Sequence, residues 1–194
     1  MTDVLDKKTI RAAALALRDA TSDEDVVALM RRLSELGPKL AQAHDAKVVS
    51  AFASIGREPA IAPMMASLNG LGFTVVLPVT GKIGTPLMFR RWTPEVHLVA
   101  GRMGIMEPPP QAEVLEPDLL FVPLAAFDRR GHRIGYGAGF YDRTLARLRA
   151  AKPIVAIGVA YACQEVLFIP NGEHDQPLDM VLTEKELILP PDAD

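Results

Sequence analysis

Residues 133–143, RIGYGAGFYDR, concentrate the side chains most able to do chemistry: three glycines, an acid and two arginines within eleven positions. Glycine at every second position is costly in a regular element. It suits a backbone that must come close to a phosphate. Arg133 and Arg143 can add charge-assisted hydrogen bonds to such an anion. Asp142 could hold Mg²⁺ beside substrate phosphates, or serve only as a favourable charge in the first turn of a helix. Asp179 offers a second carboxylate at the start of a late apolar run. The run matches neither the Walker sequence nor the dinucleotide fingerprint, so a ligand-free glycine turn is the competing reading. His174-Asp175 could form a metal or general-base pair, with a polar turn as the preferred reading. Cys163 follows an apolar run and reads as interior or incidental rather than nucleophilic.

Patterning predicts the elements that must position these groups. Residues 5–20 are helical in composition. They place Ile10, Ala13, Ala14 and Leu17 on one face and Lys7, Arg11 and Arg18 on or near another. A second helix opens with Thr21 and Glu24 as a capping box, and Gly37-Pro38 interrupts or ends it. Residues 47–54 read as a buried strand, 59–72 as a helix and 73–79 as a strand, which together predict a parallel crossover. Residues 85–92 suit an edge strand, and 101–118 a long excursion fixed by glycine and proline. The apolar run 119–127 suits a central strand covered on both faces. Residues 140–151 are helical, 153–161 give another buried strand, and 179–189 close the sheet. The expectation is an α/β fold of three layers, a mostly parallel sheet with helices on both faces. The glycine run then joins the end of a strand to the start of a helix, where ligands bind in such sheets.

Bulk composition narrows the classes. With 49% hydrophobic residues the chain can build a substantial core, and a net charge of −3 argues against a nucleic-acid or membrane-surface binder. The charge is uneven. Arg129, Arg130, Arg133, Arg143, Arg147 and Arg149 stand against Asp128 and Asp142 alone, whereas from Glu165 onward Lys185 is the only lysine or arginine among many acids. A basic island around the glycine run suggests a small anionic ligand, with solvated surface charge as the alternative. One cysteine permits no intrachain disulfide, and no signal-like region or long apolar run is evident, so a cytoplasmic protein is expected.

The segment FDRRGHRIGYGAGFYDRTL (127–145) resembles the signature of the 5-formyltetrahydrofolate cyclo-ligase family. The resemblance extends in order along nearly the whole chain, through KKTIR, FASIGRE, LPV, LMFRRW, GIMEPP and HDQPLDMVLTE. It implies a single cyclo-ligase domain over 1–194, expected to be a monomer. The implied activity is ATP- and Mg²⁺-dependent conversion of 5-formyltetrahydrofolate to 5,10-methenyltetrahydrofolate, through an N5-iminium phosphate, with release of ADP and phosphate.

By the same resemblance Lys7 and Arg11 contact ATP phosphates, and Arg133, Ile134, Gly135, Tyr136, Gly137, Ala138, Gly139, Phe140 and Tyr141 form the nucleotide-binding run. Tyr136 through Phe140 also face the folate. Glu58 binds the pterin, Ala53 forms a small apolar wall, and Asp142 and Asp179 hold Mg²⁺. Ala138 stands where members often have glycine or lysine, and Phe140 where many have tyrosine. Ala138 should therefore keep an ordinary backbone conformation, with Arg133, Arg143 or Lys7 supplying phosphate charge. Trp92 could stack on the folate or sit in the core. On the residues themselves two other classes remain: a module that sequesters its ligand without turnover, and a sugar-phosphate isomerase or transferase. ATP dependence separates both from the ligase.

Overall fold

The computed structural model describes residues 6–191. Leu5, at the head of the expected first helix, and Asp192 and Asp194 of the acidic segment lie outside the described residues.

A seven-stranded sheet organises the chain. In chain order its strands are β1 (Val48–Ser50), β2 (Thr74–Val79), β3 (Met88–Trp92), β6 (Leu119–Pro123), β9 (Val155–Val159), β10 (Met180–Leu182) and β11 (Leu187–Ile188). Two short hairpins stand apart from it, β4 (Val99–Ala100) with β5 (Met106–Glu107), and β7 (Ala126–Phe127) with β8 (Arg133–Ile134). The strand order is β11-β10-β9-β6-β1-β2-β3. The inner strands run parallel, and β3 and β11 close the edges antiparallel.

Among the described residues four α-helices complete the fold: α1 (Lys7–Asp19), α2 (Asp23–Ala43), α3 (Ala62–Gly70) and α4 (Phe140–Ala151). Successive residues of β6 face opposite sides, as strand geometry requires. Leu119 and Phe121 pack with Leu29 and Leu33 of α2 and Met64 and Leu68 of α3. Leu120 and Val122 pack with Leu145 and Leu148 of α4. These are the three layers expected from the sequence. Helix α1 packs elsewhere: Ile10 and Ala14 join Ala126, Ile134 and Ile169, so α1 lies on the β7–β8 hairpin. Among the described residues no helix is long and apolar enough to cross a membrane.

Several local expectations are corrected. Helix α2 runs through Gly37-Pro38 to Ala43. A Cβ on Gly37 would lie 2.4 Å from Met64 Sδ, so the glycine lets α2 approach α3 closely, and that packing overrides local helix propensity. The α2 cap is Ser22 rather than Thr21; its hydroxyl accepts from the Asp25 N–H at 3.1 Å. The apolar run 119–127 divides after Pro123, and Ala126-Phe127 pair with β8 in the separate hairpin. Strand β1 is only three residues long, because the chain beyond it turns to line a cavity. Cys163 is exposed, with Sγ 3.6 Å from Thr21 Oγ1. Its place on a short 3-10 turn after β9 takes it out of the strand's interior. Trp92 packs against the first core and does not line that cavity.

Candidate active site

Strand order reverses between β1 and β6: the chain continues from β1 to β2 on one side and from β6 to β9 on the other. Ligands bind beyond the strand ends at such a point. A cavity of about 600 Å³ opens there, lined by Phe52 and Ala53 after β1, Thr80 after β2 and Pro123 at the end of β6.

The glycine run forms one wall of this cavity. Gly137 (φ 102°) and Gly139 (φ 65°) adopt the left-handed region that favours glycine, whereas Gly135 and Ala138 do not. Ala138 thus keeps an ordinary backbone conformation, as its Cβ requires. Gly139 is also the N-cap of α4 and makes no side-chain capping bond. The first N–H groups of α4 therefore lack a side-chain cap, and they carry the positive end of the helix dipole. Arg11 braces the run from α1, its Nε donating to the Gly135 carbonyl at 2.7 Å.

Charged groups gather at this helix start. Arg133 is buried and donates to Asp142 Oδ1 at 2.8 Å and to the Gln176 carbonyl. The Gln176 N–H reaches the same Oδ1 at 3.2 Å. Lys7 pairs with Asp175. Burial pushes the Asp175 carboxyl upward, but the hydrogen bond and charge of Lys7 outweigh it and hold Asp175 below the usual carboxylate range. All four of these charged residues line the cavity.

The same cavity is also lined by apolar side chains, Phe52, Ile55, Leu87, Ile105 and Phe140, and by one buried acid, Glu58. Burial raises the Glu58 carboxyl above its ordinary value; the Tyr136 hydroxyl, the Ile55 N–H and the charge of Arg18 offset part of that rise. Tyr141, in the first turn of α4, also lines the cavity. Its hydroxyl is buried without a hydrogen-bond partner among the described residues, and burial keeps it protonated.

The cavity thus brings together Lys7, Arg11, Ala53, Glu58, Asp142 and every residue from Arg133 to Tyr141. It does not include Asp179, whose carboxylate accepts from Arg149 at 3.0 Å and from the Ala156 N–H at 2.7 Å. Arg143 also stays outside, its guanidinium donating to the Ala138 carbonyl. Of the basic island only Arg133 reaches the cavity; Arg129, Arg130, Arg147 and Arg149 make ion pairs elsewhere.

Among the described residues no cluster of three or more His, Cys, Asp or Glu could hold a metal by protein ligands alone. Asp142 still fits a shared Mg²⁺ site. Both of its hydrogen bonds fall on Oδ1, leaving Oδ2 without a protein donor among the described residues. Magnesium is commonly held by one or two carboxylates with substrate phosphates and water.

Sequence reasoning did not assign two participants. Arg18 lines the cavity from α1, and its signal was its share of the face that carries Lys7 and Arg11. Asp128 is fully buried and organises the turn before the run: its carboxylate accepts from the N–H groups of Arg130, His132 and Ile169. The Asp-x-x-Gly spacing at 128–131 was its signal. Gly131 (φ 82°) completes that turn, and a Cβ there would meet the Leu178 carbonyl oxygen at 2.6 Å.

Comparison with known proteins supplies a family. The sequence model of the 5-formyltetrahydrofolate cyclo-ligase family matches residues 3–184. A 5-formyltetrahydrofolate cyclo-ligase from Haemophilus influenzae is 32% identical over 180 residues, covering 90% of this chain and 92% of that protein. The protein of the same name from Mycolicibacterium smegmatis is 38% identical over 152 residues, covering 74% and 76%. In three dimensions the chain resembles the 5,10-methenyltetrahydrofolate synthetase of Aquifex aeolicus, with a TM-score of 0.74 and 28% identity. That match covers 97% of this chain and 94% of the other.

Proposed function

The chain belongs to the 5-formyltetrahydrofolate cyclo-ligase family and is an enzyme of that class, and we propose that it converts 5-formyltetrahydrofolate to 5,10-methenyltetrahydrofolate with ATP and Mg²⁺, releasing ADP and phosphate. One observation carries this reading: a single cavity is lined by the glycine run together with two unlike sets of groups. One set comprises Lys7, Arg11, Arg133 and the start of α4 without a side-chain cap, the other apolar side chains with the buried carboxylate of Glu58.

Each set suits one substrate. The helix start with Lys7 and Arg11 would receive the triphosphate. Glu58 would accept the paired N–H donors of the aminopyrimidinone edge of the pterin, with Ala53 and Phe140 against its faces. Asp142 would hold Mg²⁺, joined by Asp179 once its ion pair with Arg149 opens. The metal, when bound, neutralises charge on the phosphates and aligns them for transfer.

The reaction requires positioning more than covalent catalysis. A formyl amide is a poor electrophile, and its oxygen is a poor leaving group. Attack of that oxygen on the γ-phosphorus expels ADP and gives an N5-iminium phosphate. N10 then bonds to the iminium carbon and loses its proton, and phosphate departs with the former formyl oxygen. The glycine run would keep the two substrates in one line, which is where effective concentration enters. Lys7 and Arg133 would face the charge that develops on the phosphoryl oxygens.

The direct test mixes the protein with 5-formyltetrahydrofolate and Mg-ATP and follows the absorbance of the methenyl product. ATP-dependent product with equimolar ADP is expected. No product at high enzyme concentration, or product without ATP, would reject the proposal.

A further inference from the structure

The geometry points to Arg143 as a positioning residue for the glycine run: its guanidinium holds the Ala138 carbonyl away from the cavity, so that the Gly139 N–H of the same peptide faces in. Arg143 follows Asp142 near the start of α4. Its side chain folds back over the start of its own helix, where Nη2 donates to the Ala138 carbonyl. A Cβ on Gly139 would lie 3.0 Å from Nη1, and the guanidinium carbon sits 5.9 Å from the centre of the Phe140 ring. Nε reaches toward the Thr85 carbonyl at 3.5 Å, the edge of hydrogen-bond range.

Ala138 and Gly139 line the cavity, and Arg143 does not. The carbonyl is therefore drawn to the outer side of the run. Across a trans peptide, as this one is, the C=O and N–H point in opposite directions. The Gly139 N–H is thus presented to the cavity. Its neighbours are equally free, because no N–H from Gly137 to Asp142 finds an acceptor among the described residues.

Gly139 does not itself choose this orientation. Turning the Ala138–Gly139 peptide over takes the φ of Gly139 from 65° to a negative value, and glycine adopts either sign about as readily. What distinguishes the two orientations is the hydrogen bond at the carbonyl, and Arg143 supplies it. The hydrogen-bond partners of its guanidinium among the described residues are carbonyl oxygens, not acids. A cation at the positive end of a helix is unfavourable alone, and an anion bound at the open N–H groups removes that conflict. Arg143 acts on the anion through the backbone, from outside the cavity.

This inference rests on the reading of the helix start as the triphosphate site, so one arm of the test needs no ligand. Arg143→Ala is expected to raise the KM for Mg-ATP about tenfold, the scale of one hydrogen bond to a charged group. The KM for 5-formyltetrahydrofolate should stay near its wild-type value. Guanidinium ion at a non-denaturing concentration should restore the affinity for Mg-ATP, and sodium chloride at equal ionic strength should not. Arg143→Met keeps the length without a donor, and it covers the case in which Arg143→Ala does not fold.

A loss confined to melting temperature, with the KM for Mg-ATP as in the wild type, overturns the role. The ligand-free arm is a crystal structure of either variant, in which the Ala138 carbonyl is expected turned over or split between two orientations. A turned carbonyl supports the hold of Arg143 on the run even if the wild type binds no ATP. A carbonyl left in place overturns it even if ATP is turned over.

Discussion

A hydroxyl buried without a partner forfeits its hydration, about 1–3 kcal/mol when nothing replaces it. The Tyr141 hydroxyl is in that position on the cavity wall, so its substitution separates binding from folding. Tyr141→Phe should leave the melting temperature unchanged or slightly higher. It should raise the KM for ATP several-fold, consistent with one neutral hydrogen bond; calorimetric melting and steady-state kinetics on the same preparation check both. Asp142 gives the complementary case. Asp142→Asn keeps an acceptor for Arg133 and Gln176 but removes the charge available to a cation. A fall in kcat of at least about a hundredfold with a native circular-dichroism spectrum is expected, from the loss of one preorganised charge at the transferring phosphoryl group. Wild-type turnover would take Asp142 out of the metal site. At this scale the sequence revealed which residue types gather, because their order along the chain is specific. It did not reveal their pairings. The paired states of Lys7 with Asp175 and Asp179 with Arg149 depend on loops that meet only in three dimensions.

Elements were legible where a period was long enough to read. Strands β2 and β9 came out of apolar runs, and helices α1 and α4 out of helical composition, within a residue or two. The misreading of α2 came from tertiary packing overriding a local signal. Gly37-Pro38 breaks helices in isolation, yet both residues are buried in an unbroken α2. Strand ends also depend on a residue no motif announced. Asp118 accepts from the N–H groups of Lys47 and Val48, each at 2.9 Å, and from Lys152 after α4 at 2.7 Å. Burial works against its charge, but those bonds prevail and hold its carboxyl below the ordinary range. A carboxyl depressed in the folded chain contributes fully above the unfolded carboxylate range and loses that contribution as pH falls through its folded value. Asp118→Ala should therefore cost about 1–3 kcal/mol at neutral pH. The gap from the wild type should close as the solution is acidified. Urea unfolding at neutral and acid pH measures it, and a gap that widened on acidification would contradict the assignment.

Across the whole molecule the layering followed from apolar runs separated by helical segments, and so did the location of the cavity at the ends of the strands. What could not be read was that α1, with the least local reason to be special, would leave the sheet. Among the described residues its apolar face joins a small cluster with Ala126, Ile134 and Ile169, packed against Val166, while the sheet carries two larger cores. Segments held by few apolar contacts open locally at lower free energy than the core, and a ligand that binds only the closed form suppresses that opening by mass action. The wall bearing Lys7, Arg11 and Arg18 should thus be a separate unit of stability from the sheet beneath it. By hydrogen–deuterium exchange, amides of α1 should exchange well before those of β6 and β9. Mg-ATP should slow α1 most, and equal protection of α1 and β6 in the free protein would refute this. Binding energy would then be divided between gripping substrate and keeping a helix shut. Substitutions at Ile10 or Ala14, remote from any reacting atom, would weaken affinity by letting the wall come away.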